Sequence, residues 1–365
     1  MRGSPRQRSS PSPASRRRQS APSSSLHREM AWPSLFNRPP NHASLRRRLR
    51  KLDRVFPVGA IRAGVLDAEQ VIAYYAECSP AYRKYHSDEG AMHLAINEGE
   101  RFRASGFSGQ LARISAGWAE APPRDVLELG FGQGFNLAWL APRFAGVRFA
   151  GIDLTPAHRQ WSSERLSRLG VSNVELLTGD FQHLPWPDAS FDHVYAIEAF
   201  CYASDLPRAF AEVARVLRPG GRFTLFDGYL ERRPETFTPD EALAAELVAR
   251  GVALASFQLI DEMKTQAARA GLQTEGVTSF DAEIAPNLKK LERLTGAIIR
   301  MPWLGRQALA RRSSQRGRNV ITGYLMRSTV ALGLTVYREL AFRKSAVTFD
   351  NLVGRPSTEL PSQDR

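Results

Sequence analysis

Three glycines at alternate positions, Gly130, Gly132 and Gly134, constrain this chain more than any other feature. They follow a short apolar stretch, Val126-Leu127-Glu128-Leu129, and precede helix-forming residues from Asn136 to Phe144. Strand, glycine turn and helix in that order build a ligand cradle. Glycine permits positive φ and lets a ligand lie against the backbone. The start of the helix adds N–H groups without intrahelical partners and the positive end of a dipole. Such a turn suits an adenosine-bearing ligand at the carboxyl edge of a parallel sheet.

Spacing discriminates among such ligands. A dinucleotide fingerprint reads G-x-G-x-x-G with an acid about 20 residues on. Here the pattern is G-x-G-x-G, and a carboxylate, Glu128, stands two residues before the first glycine. Further elements follow in order. Val147 to Leu154 reads as a strand ending in Asp153 and Leu154, Pro156 to Leu169 as a helix, and Val174 to Thr178 as a strand ending in Gly179-Asp180-Phe181. Then come Leu184-Pro185-Trp186-Pro187-Asp188-Ala189-Ser190-Phe191-Asp192, a fourth strand over Phe191 to Phe200, and a helix from Asp205 to Leu217. Arg215-Val216-Leu217-Arg218-Pro219-Gly220-Gly221 closes that helix, and Arg222 to Asp227 is a fifth strand. Alternating strands and helices require a parallel sheet with right-handed crossovers.

Residues 125–230 resemble class I S-adenosylmethionine (AdoMet) methyltransferases in all of these elements. The resemblance implies an α/β, Rossmann-like, doubly wound and mostly parallel sheet of seven strands. It also implies a helical N-terminal cap and a helical C-terminal insertion. In that family the glycines pass under the cofactor's amino-acid arm, and an acid at the position of Glu128 helps to bind its ammonium. Asp153, with Leu154 beside it, would take the ribose hydroxyls. Asp180 would meet the adenine amino group, and Phe181 would pack on the ring. The cofactor implied is S-adenosyl-L-methionine, with Glu128, Gly130, Gly132, Gly134, Asp153, Leu154, Asp180 and Phe181 as its binding residues.

Net charge is +13, but residues 1–51 hold 13 Lys or Arg against one acid, Glu29. The other residues carry 37 basic and 36 acidic side chains, so the body is nearly neutral. This argues against a nucleic-acid partner, as does the lack of an Asn/Asp-Pro-Pro-Tyr/Phe motif after the fourth strand. Residues 1–51, rich in Ser, Pro and Arg, are expected to be a disordered basic tail. A transit peptide, a start at Met30, and contact of Arg46-Arg47-Arg48 with anionic lipid heads are alternative readings of it. Two cysteines, Cys78 and Cys201, exclude a disulfide framework, suggest no metal site and fit a reducing, cytoplasmic setting. No transmembrane span is expected.

The globular part divides into a helical cap over 52–120, the cofactor-binding core over 121–230, and the rest of the sheet with a helical lid over 231–347, followed by a loose end over 348–365. In the cap, Asp67 is placed to cap a helix through Tyr75, and Glu98 to Trp118 reads as a second helix. Beyond the core, Pro239 to Gly251 and Phe257 to Gly271 read as helices and Leu272 to Phe280 as a strand. Glu283 to Ala310 reads as a helix running into a basic stretch with no acid over residues 300–318, a solvated face or a patch for phosphate or anionic lipid. Tyr337 to Arg343 suits the last strand.

Methyl transfer from a sulfonium needs the acceptor positioned more than it needs acid–base chemistry, so the acceptor is harder to read. Tyr195-Ala196-Ile197-Glu198-Ala199-Phe200-Cys201-Tyr202-Ala203-Ser204 is similar to the tract after the fourth strand in sterol C-methyltransferases. That resemblance implies C-methylation of an isoprenoid or sterol-like small apolar acceptor, with Glu198 near the sulfonium and a developing carbocation, and with Tyr202 standing where that family has His. Phe200 stands where it has Thr, and Asp227 ends the fifth strand facing the cleft. Aromatic faces and a carboxylate can stabilise such a cation. Glu198 and Tyr202 are therefore the catalytic candidates. O- or N-methylation of a natural product or quinone, and a non-catalytic cofactor-fold binding protein, stand as alternatives.

Overall fold

Alternation of apolar strands with amphipathic helices produces one seven-stranded sheet flanked by helices. The computed structural model describes residues 40–63, 67–301, 303 and 314–346. Most of the basic tail with Met30, the residues Arg306, Arg311 and Arg312 of the basic stretch, and the end from 347 onward lie outside the described residues.

The strands are β1 (Asp125–Leu129), β2 (Arg148–Asp153), β3 (Val174–Thr178), β4 (Phe191–Ile197), β5 (Leu217–Tyr229), β6 (Leu272–Ser279) and β7 (Val336–Lys344). Their order across the sheet is β3-β2-β1-β4-β5-β7-β6, and β7 alone runs antiparallel to its neighbours. This is the expected doubly wound, mostly parallel arrangement. Chain direction across the sheet reverses beside β1, between β2 and β4. The crevice at the carboxyl ends there is where such sheets bind ligands.

Helices α1 (His42–Asp53), α2 (Val58–Ala63), α3 (Ala68–Ala81) and α4 (Gly109–Ile114) precede the sheet. Helices α5 (Phe135–Leu140), α6 (Pro156–Arg168) and α7 (Leu206–Val216) connect its first five strands. Helices α8 (Pro239–Gly251) and α9 (Ile260–Arg269) lead to β6, and α10 (Asp281–Arg300) and α11 (Ser314–Ala331) lie between β6 and β7. Asp67 caps α3 as expected, accepting from Gln70 N at 2.9 Å. Pro80 supplies no N–H within α3, and the chain then widens into a turn closed by Ser87 N on Tyr82 O at 3.0 Å.

Several expectations are corrected here. The end of the basic tail is a helix: in α1, Leu45, Leu49 and Leu52 are buried against α8 and α11. Their spacing of four and three residues is one face of a helix, and each buried leucine contributes about 1.5–3 kcal/mol. Asn41 and Ser44 form a capping box at its start, and Arg48 with Arg327 of α11 pairs with the buried Glu292. The basic face is thus solvated while the leucines fold. The helix expected over Glu98 to Trp118 is a short turn at Ala104–Ser108 followed by α4, because Asn97 Oδ1 takes Arg103 N at 2.6 Å and holds the preceding residues in a loop. The helices expected over Asn136 to Phe144 and Phe257 to Gly271 are the shorter α5 and α9; the one expected over Glu283 to Ala310 is α10 as far as Arg300, and its residues 304–310 lie outside the described residues. The end of the tail in α1, the start of the cap with Val55, Phe56 and Ile61, and the lid with α8, α10 and α11, read as separate segments, share one apolar cluster.

Among the described residues, no helix is long and apolar enough to cross a membrane, and no cluster of His, Cys, Asp and Glu could hold a metal ion.

Candidate functional site

A cavity of about 380 Å³ opens at the carboxyl ends of β1, β2, β3 and β4. Gly130 and Gly132 form its floor, both at positive φ (74° and 52°). Asp153 and Leu154 stand at the tip of β2, Asp180 and Phe181 after β3, and Glu198 and Tyr202 after β4, all lining the cavity. Two further expected residues do not line it. Gly134, at φ 73°, packs against α6, where a Cβ would come within 2.7 Å of Ser162 Oγ. Its glycine is explained by helix packing. Glu128 is fully buried behind the turn, held by Asn136 Nδ2 at 2.6 Å and the Tyr195 hydroxyl at 3.0 Å. Burial pushes its carboxyl up to about 8, and direct contact with a ligand in the cavity does not follow from this position.

Asp153 organises the turn. One carboxylate oxygen accepts from Gly132 N at 2.8 Å, and the other accepts from Thr155 N at 2.8 Å and lies 3.0 Å from His158 Nδ1. The β2 tip therefore holds the glycine turn in shape while its carboxylate faces the cavity. The sequence reading missed His158. Its ring also packs edge-on against Tyr75 of α3, which ties the cofactor side of the cavity to the cap. Across β3, Gln182 donates to both oxygens of Asp180 at 3.1 and 2.9 Å. Phe181 stacks on Phe200 with centroids 5.6 Å apart and planes 16° apart. Phe200 in turn packs edge-on against Phe210 and Phe223. The phenylalanine that departs from the sterol-enzyme pattern is a core residue.

A second hollow of about 70 Å³ adjoins the first and shares Tyr75, Met92, Glu198, Cys201 and Tyr202 with it. Its far wall carries Asp227 of β5 and Tyr337 of β7. Glu198, at φ 49°, directs its carboxylate between the two hollows. Its Oε1 accepts from Leu94 N at 2.7 Å and from the Tyr337 hydroxyl at 2.9 Å. Asp227 accepts from Cys201 N at 3.2 Å and Gly228 N at 2.8 Å. Both carboxylates rest on neutral donors. Burial, with neighbouring negative charge, pushes Glu198 up to about 8, and burial pushes Asp227 up to about 6. Among the described lining residues of either hollow there is no Lys or Arg.

Tyr202 is placed differently from a proton-transfer group. Its hydroxyl donates to Val252 O at 2.7 Å and accepts from Tyr75 at 3.0 Å. What it offers the cavity is a ring face. His183 is an exposed side chain 3.9 Å from Asp180, while His193 is buried on Thr224 and Trp118, so both histidines are peripheral or packing residues.

The residues fit an AdoMet-type cofactor: glycines without Cβ under the arm, a carboxylate at the ribose position, and a half-buried phenylalanine where the base would lie. Asn136 Oδ1, on the cavity wall, is buried without a hydrogen-bond partner.

Comparison with known proteins agrees. Residues 127–225 match the family model described as a methyltransferase domain. The chain is 27% identical over 241 residues to a fatty-acid O-methyltransferase of Mycolicibacterium smegmatis, covering 66% of this chain and 79% of that enzyme. It is 29% identical over 149 residues to a sterol 24-C-methyltransferase of Eremothecium gossypii, covering 40% of each. The match thus spans about four fifths of the first relative and two fifths of the second. Among solved structures, the geranyl diphosphate C-methyltransferase of Streptomyces coelicolor superposes with a TM-score of 0.57 at 16% identity, over 76% of this chain and 97% of that one.

Proposed function

We propose that this chain, whose residues 127–225 match a methyltransferase-domain model, uses S-adenosylmethionine to methylate a carbon of an uncharged isoprenoid or sterol-like lipid. One observation carries the reading: the hollow beside the cofactor cavity is walled by aromatic rings and holds Glu198 and Asp227 on neutral donors. Such a pocket favours positive charge: aromatic faces attract a cation, and a cation beside these buried carboxyls draws them to their ionised form.

When bound, the cofactor supplies a methyl group already activated on a positively charged sulfur. The glycine turn and Asp153 would hold it beside the hollow. An acceptor alkene held in the hollow would take that methyl group, a C–C bond forming as the C–S bond breaks and S-adenosylhomocysteine leaving. The positive charge moves to the neighbouring acceptor carbon, where the faces of Tyr75 and Tyr202 and the Glu198 carboxylate stabilise it. A proton leaves the adjacent carbon for a carboxylate, and its C–H electrons restore a double bond. The apolar wall excludes water that would otherwise capture the cation.

Sterol C-methyltransferases among the relatives support the carbon acceptor. The fatty-acid O-methyltransferase supports an oxygen acceptor. Esterification, however, would bury the acceptor's carboxylate with no cation among the described lining residues to balance it.

The test incubates the full chain with AdoMet bearing a deuterated methyl group and a fractionated lipid extract, followed by mass spectrometry. Label on carbon of a neutral lipid is expected. Label on oxygen or nitrogen transfers the enzyme to the other acceptor class. No label, with cofactor binding shown separately, supports a binding protein.

A further inference from the structure

Asn136 is the second residue of α5, and its side chain is 6% exposed and lines the cofactor cavity. Its amide is oriented from behind. Nδ2 donates to Glu128 Oε1 at 2.6 Å, and the other Glu128 oxygen accepts from the Tyr195 hydroxyl at 3.0 Å. With Nδ2 turned toward the carboxylate, Oδ1 is turned away from it, and Oδ1 has no donor. A buried carbonyl oxygen left without a donor is costly, and a ligand that supplies the donor recovers that cost.

We infer that Asn136 Oδ1 accepts a hydrogen bond from the ammonium of the cofactor's amino-acid arm, and that Glu128 and Tyr195 hold the amide in that orientation. Asn136 is then the contacting residue and Glu128 a positioning residue one step removed. The chemistry selects a donor group on the arm: an amide oxygen can only accept, so it suits the ammonium and offers nothing to the arm's own carboxylate. This differs from the direct Glu128 contact that the family resemblance implies.

The test compares ligands that differ in the arm. S-adenosylhomocysteine has the whole arm, decarboxylated AdoMet keeps the amine without the carboxylate, and 5′-methylthioadenosine has neither. Titration calorimetry on the full chain measures all three. Asn136→Ala should weaken the first two by about ten- to hundredfold, the range for a hydrogen bond to a charged group. Its affinity for 5′-methylthioadenosine should stay within about twofold, and that binding doubles as the check on folding. Glu128→Gln frees the amide to turn and should weaken the same two ligands by a smaller factor; it carries the test if Asn136→Ala does not fold. Equal losses for all three ligands would show a structural role and overturn the inference. So would a loss confined to S-adenosylhomocysteine, which would assign Asn136 to the carboxylate.

Discussion

Replacing Gly130 with alanine separates two reasons for a glycine at the head of the turn. Gly130 lies at φ 74°, and a Cβ there would come within 2.4 Å of the Cβ of Ala199. The left-handed conformation costs a residue with a Cβ about 1–2 kcal/mol. The contact must also open by about 1 Å to reach ordinary carbon–carbon separation, and overpacking of this kind costs about 1–3 kcal/mol. Together the substitution should cost about 2–5 kcal/mol. The displaced backbone joins Glu198 to Phe200, which is buried and stacked on Phe181. The clash therefore reaches both the proposed carboxylate and the wall of the cavity.

Urea unfolding of Gly130→Ala should show this loss, and affinity for S-adenosylhomocysteine should fall at least about tenfold. Ala199→Gly removes the opposing methyl. In the double variant the clash share should return while the left-handed share of about 1–2 kcal/mol remains. A Gly130→Ala protein within about 0.5 kcal/mol of the parent would refute the packing argument. A double variant no more stable than Gly130→Ala would place the whole cost in the backbone and refute the contact.

Two further expectations follow from the buried carboxyls. Glu128 and Glu198, with ordinary values of 4.5, are pushed up to about 8, so up to that limit they bind more protons in the folded state than in the unfolded one; the buried His86, His93 and His193, pushed down from 6.5 to about 4, about 4 and about 3, act in the opposite sense below about pH 7, so stability measured by urea unfolding should fall as pH rises from about 7 to 8. Glu128→Gln should make that fall shallower, and a parent protein whose stability rises over this range would contradict the burial argument. Asp153→Asn turns one of the two oxygens that accept from Gly132 N and Thr155 N into a donor, so, with Asp153 proposed to hold the ribose, calorimetry should show S-adenosylhomocysteine and 5′-methylthioadenosine weakened alike by about tenfold or more; a loss confined to the ligand with the arm would move Asp153 away from the ribose.

What could be read from the sequence lies at the strand tips. Gly130, Gly132, Asp153, Asp180 and Glu198 sit in short contiguous motifs, because a doubly wound sheet delivers each βα junction to one edge. Sequence neighbours are then site neighbours. The order of the strands follows from the same alternation. The helix α1 was hidden for a different reason: seven of its twelve residues are charged or His, and composition outweighed the leucine spacing that folds it. Glu128 was misplaced because a motif states which residue is present and not which way it faces. Burial against Tyr195, 67 residues away, turns it from the cavity.

The chemistry of Glu198 shows where motifs stop. Its position after β4 is local, but its state is not. Leu94 N, 104 residues earlier, and the Tyr337 hydroxyl, 139 residues later, hold one oxygen. Gln110 of α4 in turn donates to that hydroxyl at 3.1 Å. Asp227, which raises its proton affinity, comes from a third strand. The cap before the sheet and the last strand after it thus meet on a single carboxylate. A cap closed on the cavity is needed for that hydrogen-bond set to form, since Leu94 belongs to it. The glycine turn and the strand-tip carboxylates of the larger cavity come from the sheet, with Tyr75 and Met92 of the cap along its wall, whereas the surroundings of Glu198 exist only when cap, β5 and β7 are assembled around it. Relatives that share the strand-tip motifs can therefore hold the same cofactor and still methylate carbon, oxygen or nitrogen, because the residues that decide the acceptor lie outside those motifs.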